Sequence, residues 1–265
     1  MYSEFLKCAV EAARLAGRYQ RYRFASRMVV DLKGEKDLVT EVDRESERLI
    51  VEHILERYPA HSILAEEGKY RPGTGNVRWV IDPVDGTTNY AHGFPWFCSS
   101  IAAVQDDVLV AGVIYNPIHD ELYTATKGGG AFLNGARIHV SSRGPLSGSL
   151  LGTGFPYDCA VDPANNFANF IIFQKAARGI RRAGAAALDL ACLAAGRLDG
   201  FWELKLKPWD VAAGVLLVEE AGGKVTTFDG SSYDIFNDRI LASNGPIHEE
   251  MVALLAEAEA CANES

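Results

Sequence analysis

The sequence predicts a mixed α+β and α/β fold in two packed halves, an N-terminal half over residues 1–145 and a C-terminal half over 146–265. Three features predict it. Two amphipathic helix patterns open the chain, a run of short strands parted by turn-forming pairs follows, and strand and helix patterns then alternate to the C-terminus. With 48% hydrophobic residues among 265, the chain can bury a full core.

Residues 4–23 place Phe5, Ala9, Ala12, Ala13, Leu15 and Ala16 at helical spacing, and residues 41–58 turn Val42, Leu49, Ile50 and Ile54 inward. Short strands are expected at Ser62–Ala65 and Arg78–Ile81. The meander after them breaks at Asp106-Asp107, Asn116-Pro117 and Asn134-Gly135, so its sheet is expected to be antiparallel. "TKGGGAFLNG" lacks the Lys-Ser ending of a phosphate loop and reads as a turn. The polar "SSRGPLSGS" (Ser141–Ser149) marks the boundary between the halves. Beyond it, "SLLGTGF", "GIRRAG", "GFWEL", "KVTTF" and "RILASNG" read as strands, and "ANNFANFIIFQKAA", "AAALDLACLAAG" and "WDVAAGVLLVEEA" as helices. Gly222-Gly223 ends the last helix with a left-handed cap.

Asp and Glu outnumber Lys and Arg 35 to 26, a net charge of −9 that disfavours a general nucleic-acid binder and favours cations as ligands. Arg14, Arg18 and Arg21, with Tyr19 and Tyr22 between them, read as a solvated helix face rather than an RNA or partner surface. Cys8, Cys98, Cys159, Cys192 and Cys261 are scattered without C-x-x-C, which suggests neither disulfides nor a zinc knuckle and fits a reducing cytoplasm. The opening "MYSEFLKCAVEAARLAG" carries Glu4, Lys7, Glu11 and Arg14 where a signal peptide needs an apolar run, and no membrane span is expected.

Three expected strand or helix ends carry acids: Glu66-Glu67 after "ILA", Asp82 after "WVI" with Asp85 beyond it, and Asp210 in "LKPWD". Singly they read as a solvated turn, a helix cap and an N-terminal cap. Asp82-Pro83-Val84-Asp85 resists that reading, since one cap needs one carboxylate and this turn offers two, held by a proline of fixed φ. A bridging cation uses both, and hard oxygen donors without converging His or Cys favour Mg²⁺ or Mn²⁺ over zinc. Gly86-Thr87-Thr88-Asn89 then reads as the first turn of a helix, an anion site beside the metals, which implies a phosphate. Other chemistries lack their motifs: there is no G-x-S-x-G, no Walker lysine, and Gly152-Thr153-Gly154 is not completed into a dinucleotide fingerprint.

Taken together, "AEEG", "WVIDPVDGTTNYAHGFPWFCSSIA" and "LKPWDVAAGVLLVEEAGGKV" resemble the inositol monophosphatase family, Mg²⁺-dependent, lithium-sensitive phosphatases of small phosphorylated metabolites. The likeness covers nearly the whole chain, through "GEKDLVTEVDRESE", "GTGFPYD" and "RRAGAAALDLACLAAGRLDGFWE", and is strongest to the bacterial branch. It implies a layered αβαβα sandwich of the inositol monophosphatase and fructose-1,6-bisphosphatase type, a homodimer, and two or three Mg²⁺ per site. It also implies that Glu66, Asp82 and the Val84 carbonyl hold one metal and Asp82, Asp85 and Asp210 another. By the same likeness, Glu66, Thr87 and Asp43 orient the attacking water, and Asp85, Gly86, Thr87, Gly184, Ala185 and Glu203 meet the substrate. Glu203 would face the leaving group's hydroxyls, the plain alternative being an exposed strand-end glutamate. The family's upstream lysine falls at Lys33 rather than Lys36, and Lys33 stays outside the catalytic set. The metal motifs leave inositol, histidinol and fructose phosphates open as substrates, along with a non-catalytic regulator on the same fold.

Overall fold

In the computed structural model, residues 2–24, 30–32, 38–68 and 70–263 are described, so Lys33 and Lys36 lie outside the described residues. The chain opens with α1 (Tyr2–Arg23), a hairpin of β1 (Val30–Leu32) and β2 (Leu38–Thr40), α2 (Glu41–Arg57), β3 (Ser62–Ala65) and β4 (Val77–Asp85). A short helix, α3 (Thr87–Ala91), precedes the meander of β5 (Cys98–Gln105), β6 (Val108–Asn116), β7 (Glu121–Thr126), β8 (Gly130–Leu133) and β9 (Ala136–Ile138). Then come β10 (Leu150–Thr153), α4 (Phe167–Ala176), β11 (Gly179–Arg181), α5 (Ala186–Ala194), β12 (Gly200–Leu204), α6 (Pro208–Glu220), β13 (Lys224–Thr226), β14 (Arg239–Ser243) and α7 (His248–Asn263).

Strands β3 to β9 form a seven-stranded sheet in chain order, antiparallel except for the β3–β4 pair. The five-stranded sheet runs β11-β10-β12-β14-β13. It is mixed, not the plain alternation the pattern suggested. Helices α4 and α5 supply the crossovers that make β11, β10 and β12 parallel, whereas no helix lies between β13 and β14, which pair antiparallel.

The layers stack in the order α1 with α2, seven-stranded sheet, α5 with α6, five-stranded sheet, α4 with α7. Patterning explains each position. Helix α1 buries Ala12, Ala13 and Ala16, small residues that bring it close to the sheet, and a Cβ on Gly17 would stand 2.5 Å from the Tyr115 ring. Helix α5 is buried at every position and α6 from Val211 to Val218, as a layer covered by sheets on both sides requires. At that junction Gly112 of β6 meets the backbone of Ala213, where a Cβ would come within 3.2 Å of the Ala213 Cα.

Departures from the expected apolar faces cluster on one side. Leu15 and Leu49 are only half-buried, while Gln20 of α1 and Asp43, Ser46 and Glu47 of α2 are buried in their place. Gln20 and Asp43 meet the end of β4 and the turn after it, Ser46 sits beside Gln20, and Glu47 accepts the Glu67 N–H in the turn after β3. No helix among the described residues is long and apolar enough to cross a membrane.

Candidate active site

Strand β4 does not stop at Asp82. It pairs with β5 at Asp82↔Ser100 and again at Asp85↔Cys98, so three steps along β4 match two along its partner. Pro83 has no N–H to give the ladder, and the strand bulges there. Three elements grip the bulge. Asp82 Oδ1 accepts the Val84 N–H at 2.9 Å, while the Pro83 carbonyl oxygen accepts from Gln20 Nε2 and Ser99 Oγ, each at 2.8 Å. Gln20, fully buried, also lies 3.2 Å from Ser46 Oγ, joining α1, α2 and β5 beneath the turn.

Gly86 must be glycine for two reasons: its φ is +96°, and a Cβ would stand 2.9 Å from the Trp96 carbonyl oxygen. Beyond it, Thr87 Oγ1 lies 2.7 Å from Asp43 Oδ1 and 3.0 Å from the Val84 carbonyl oxygen, so its single proton has two acceptors. Asp43 is wholly buried behind Thr87 and does not line the cleft. Asn89 Nδ2 donates to the carbonyl oxygens of Trp96 at 2.8 Å and Ala183 at 2.9 Å, tying α3 to the Gly184 turn.

A cleft of about 760 Å³ opens over this turn. Glu66, Asp82, Val84, Asp85, Gly86, Thr87, Gly184, Ala185, Glu203 and Asp210 all line it. The acids are held by backbone amides. Asp85 Oδ2 accepts the Ala187 N–H at the start of α5 at 2.7 Å, and Asp210 Oδ2 accepts the Lys207 N–H at the start of α6 at 2.7 Å. Asp210 thus does cap its own helix, as the plain reading held, while still facing the cleft.

Burial first, then the charges of Glu66, Asp85 and Asp210, hold the Asp82 carboxyl well above the usual carboxylate range, and Glu66 and Asp82 are hydrogen-bonded to each other. Burial pushes Asp85 up to about 7 against the opposing pull of the Ala187 N–H. Among the described residues, no group of three or more His, Cys, Asp or Glu side chains is drawn together tightly enough to enclose an ion.

Glu203 is 9% exposed on β12, which removes the exposed strand-end alternative, and burial followed by Asp189, Asp210 and Asp85 raises its carboxyl well above the ordinary value. Three residues of this environment escaped the sequence reading. Gln20 carried no signal, since buried glutamines have no motif. Asn89 was quoted within the turn but not given its role of joining two segments 94 residues apart. Asp189 could have been found, because "AAALDLACLAA" sets one acid in an otherwise apolar helix.

The model of the inositol monophosphatase family matches residues 1–260. An inositol-1-monophosphatase of Synechocystis sp. is 44% identical over 95% of this chain and 88% of its own. A Pseudomonas aeruginosa protein named Nus factor SuhB is 47% identical over 90% and 91%. The structure of an inositol monophosphatase from Anabaena (Nostoc) sp. superposes with a TM-score of 0.88 at 44% identity, covering 96% of each chain.

The raised Asp85 carboxyl has a consequence for stability. In the unfolded chain it ionises near 3.8, and in the fold it keeps its proton to about 7, so unfolding releases a proton between those values. Its contribution is fully present below about pH 4 and is lost as pH rises to about 7, a change of at most a few kcal/mol. With chelator present, the melting temperature is expected to fall from pH 5 to pH 8, and Asp85→Asn to flatten that fall. A wild-type melting temperature that rises steadily over the same range would contradict the buried-acid assignment.

Proposed function

The chain belongs to the inositol monophosphatase family, a family of phosphoric monoester hydrolases, and we propose that it hydrolyses a small phosphomonoester, myo-inositol 1-phosphate before others, with Mg²⁺ at two or three positions or Mn²⁺ in its place. The observation carrying this reading is convergence. Glu66 after β3, Asp82 and Asp85 on β4 and Asp210 on α6 meet at one cleft beside the Gly86 turn. Clustered, buried carboxylates oppose their own ionisation, and a divalent cation reverses that opposition.

Glu66, Asp82 and the Val84 carbonyl are assigned to one cation and Asp82, Asp85 and Asp210 to a second. Seating an ion would require Glu66 to exchange its hydrogen bond with Asp82 for the cation. When bound, such cations neutralise these acids and withdraw charge from the phosphoryl group and the leaving oxygen. The chain's own groups do the positioning. Thr87 gives its hydroxyl proton to Asp43, which leaves its oxygen to accept from a water that Glu66 also orients for in-line attack. Backbone N–H groups of Gly86 and Thr87 are assigned to the phosphate. Gly184, Ala185 and Glu203 are assigned to the alcohol.

The protein is further proposed to act in the cytoplasm as a homodimer. Phe167 and Ile171 of α4, 47% and 54% exposed, offer an apolar face to a second copy. A second reading, a regulatory factor on the same fold, follows from the name of the Pseudomonas aeruginosa relative. Retention of Glu66, Asp82, Asp85 and Asp210 favours the enzyme.

Purified protein with millimolar Mg²⁺ is expected to release phosphate from inositol 1-phosphate, and Asp85→Asn to lower turnover by more than about a hundredfold while the circular dichroism spectrum is kept. Absence of turnover across a panel of small phosphomonoesters would leave the regulatory reading standing. In the same assay Li⁺ is expected to inhibit where Na⁺ does not, and coincident curves for the two salts would remove the proposed lithium sensitivity. Glu203→Gln is expected to lower the ratio of kcat/KM for inositol 1-phosphate to that for an aryl phosphate by about tenfold or more, the loss of a charge-assisted hydrogen bond of about 1.5–3 kcal/mol. An unchanged ratio would place Glu203 outside recognition of the alcohol.

A further inference from the structure

Helix α5 buries an acid that no part of the proposed chemistry uses. Asp189 is 2% exposed, lines the cleft, and among the described residues makes no side-chain hydrogen bond. Its neighbours on α5 are Ala, Leu and Cys, all buried. The plain explanation is an acid in the first turn of a helix, where the macrodipole favours negative charge. That favour is small beside the cost of burying an acid, which burial first and then Asp85 hold well above the usual carboxylate range, with Arg182 pulling the other way. A leucine would cost less, so the helix dipole does not account for Asp189.

A second buried acid faces the same part of the cleft. Glu203 of β12 faces the cleft beside Asp189, and Asp189 is the charge that most opposes its ionisation. Space for Glu203 comes from Gly154, the last residue of the motif that resembled a broken nucleotide fingerprint: a Cβ there would stand 2.1 Å from Glu203 Oε1. Any side chain at 154 would displace the Glu203 carboxyl. Two buried acids on one wall, on the alcohol side of the phosphate position, match a leaving group that carries more than one hydroxyl.

We infer that Asp189 is a specificity-determining residue that acts with Glu203 to hydrogen-bond separate hydroxyls of a polyhydroxylated leaving group. This rests on the phosphatase reading given above and adds Asp189 to the residues that choose its alcohol. Each hydroxyl donates to or accepts from a carboxyl that makes no side-chain hydrogen bond among the described residues, with the Arg182 charge nearby, so its removal leaves that carboxyl without a hydrogen bond.

The test compares kcat/KM for inositol 1-phosphate with that for each of its monodeoxy analogues, in wild type, Asp189→Ala and Asp189→Asn, with thermal melting to report the fold. Wild type is expected to lose about tenfold when the hydroxyl facing Asp189 is removed. In Asp189→Ala that penalty should shrink below about threefold for one analogue, with Asp189→Asn restoring part of it. Identical deoxy penalties in all three proteins overturn the inference, even if Asp189→Ala melts lower, because the residue is then a structural acid. Wild-type turnover on aryl phosphate with no deoxy penalty at any position removes the inference alone. No turnover by wild type on any phosphomonoester removes the phosphatase reading and the inference with it.

Discussion

Backbone amides hold Asp82, Asp85 and Asp210 where they line this cleft. Asp82 accepts from Val84 at the β4 bulge, and Asp85 and Asp210 accept from Ala187 and Lys207 at helix starts, where backbone N–H groups lack a partner in the helix ladder. A lysine in those roles would neutralise the acids and leave no charge for a ligand. Amides orient a carboxylate without cancelling it. The fold therefore gathers acids at one place, and burial with mutual repulsion holds the Asp82, Asp85 and Glu203 carboxyls above the usual carboxylate range.

That constraint explains much of the architecture around it. The Ala187 N–H belongs to α5, so Asp85 of the seven-stranded sheet is held by the helix layer shared with the five-stranded sheet. Asn89 adds a second tie between the same regions. From the other side, Gln20 and Ser99 fix the Pro83 carbonyl, which is why α1 and α2 turn polar residues inward where simple amphipathicity would place leucines. Glycines appear where backbone must come closest: Gly86 under the Trp96 carbonyl, Gly154 against Glu203.

Local chemistry was legible in the sequence to the extent that it was written in contiguous residues. The meander was readable from its turn pairs, and Asp106, Asp107, Asn134 and Gly135 all adopt positive φ as such turns require. Asp82 and Asp85 stood out because a proline fixed them three residues apart, and Asp210 because an acid opened an apolar helix. The extension of β4 through Pro83 was not legible, since a proline normally ends a strand and only pairing with Cys98 shows that this one continues. Asp43, Val84, Gly184, Ala185 and Glu203 depended on family likeness. Their position follows from contacts across dozens of residues, for which a single sequence carries no periodic signal. Asp189 lay in plain view, but its meaning depends on burial, which the apolar pattern around it disguises as a core helix.

Crystals grown with Mn²⁺ and inorganic phosphate give the most direct measurement, since anomalous scattering locates manganese without reference to turnover. Manganese is expected between Asp82 and Asp85, with further density toward Glu66 or Asp210 and the phosphate against Gly86 and Thr87. Manganese elsewhere on the surface, with Glu66 and Asp82 still hydrogen-bonded to each other at saturating metal, would contradict the reading of this cleft as a cation-dependent phosphate site.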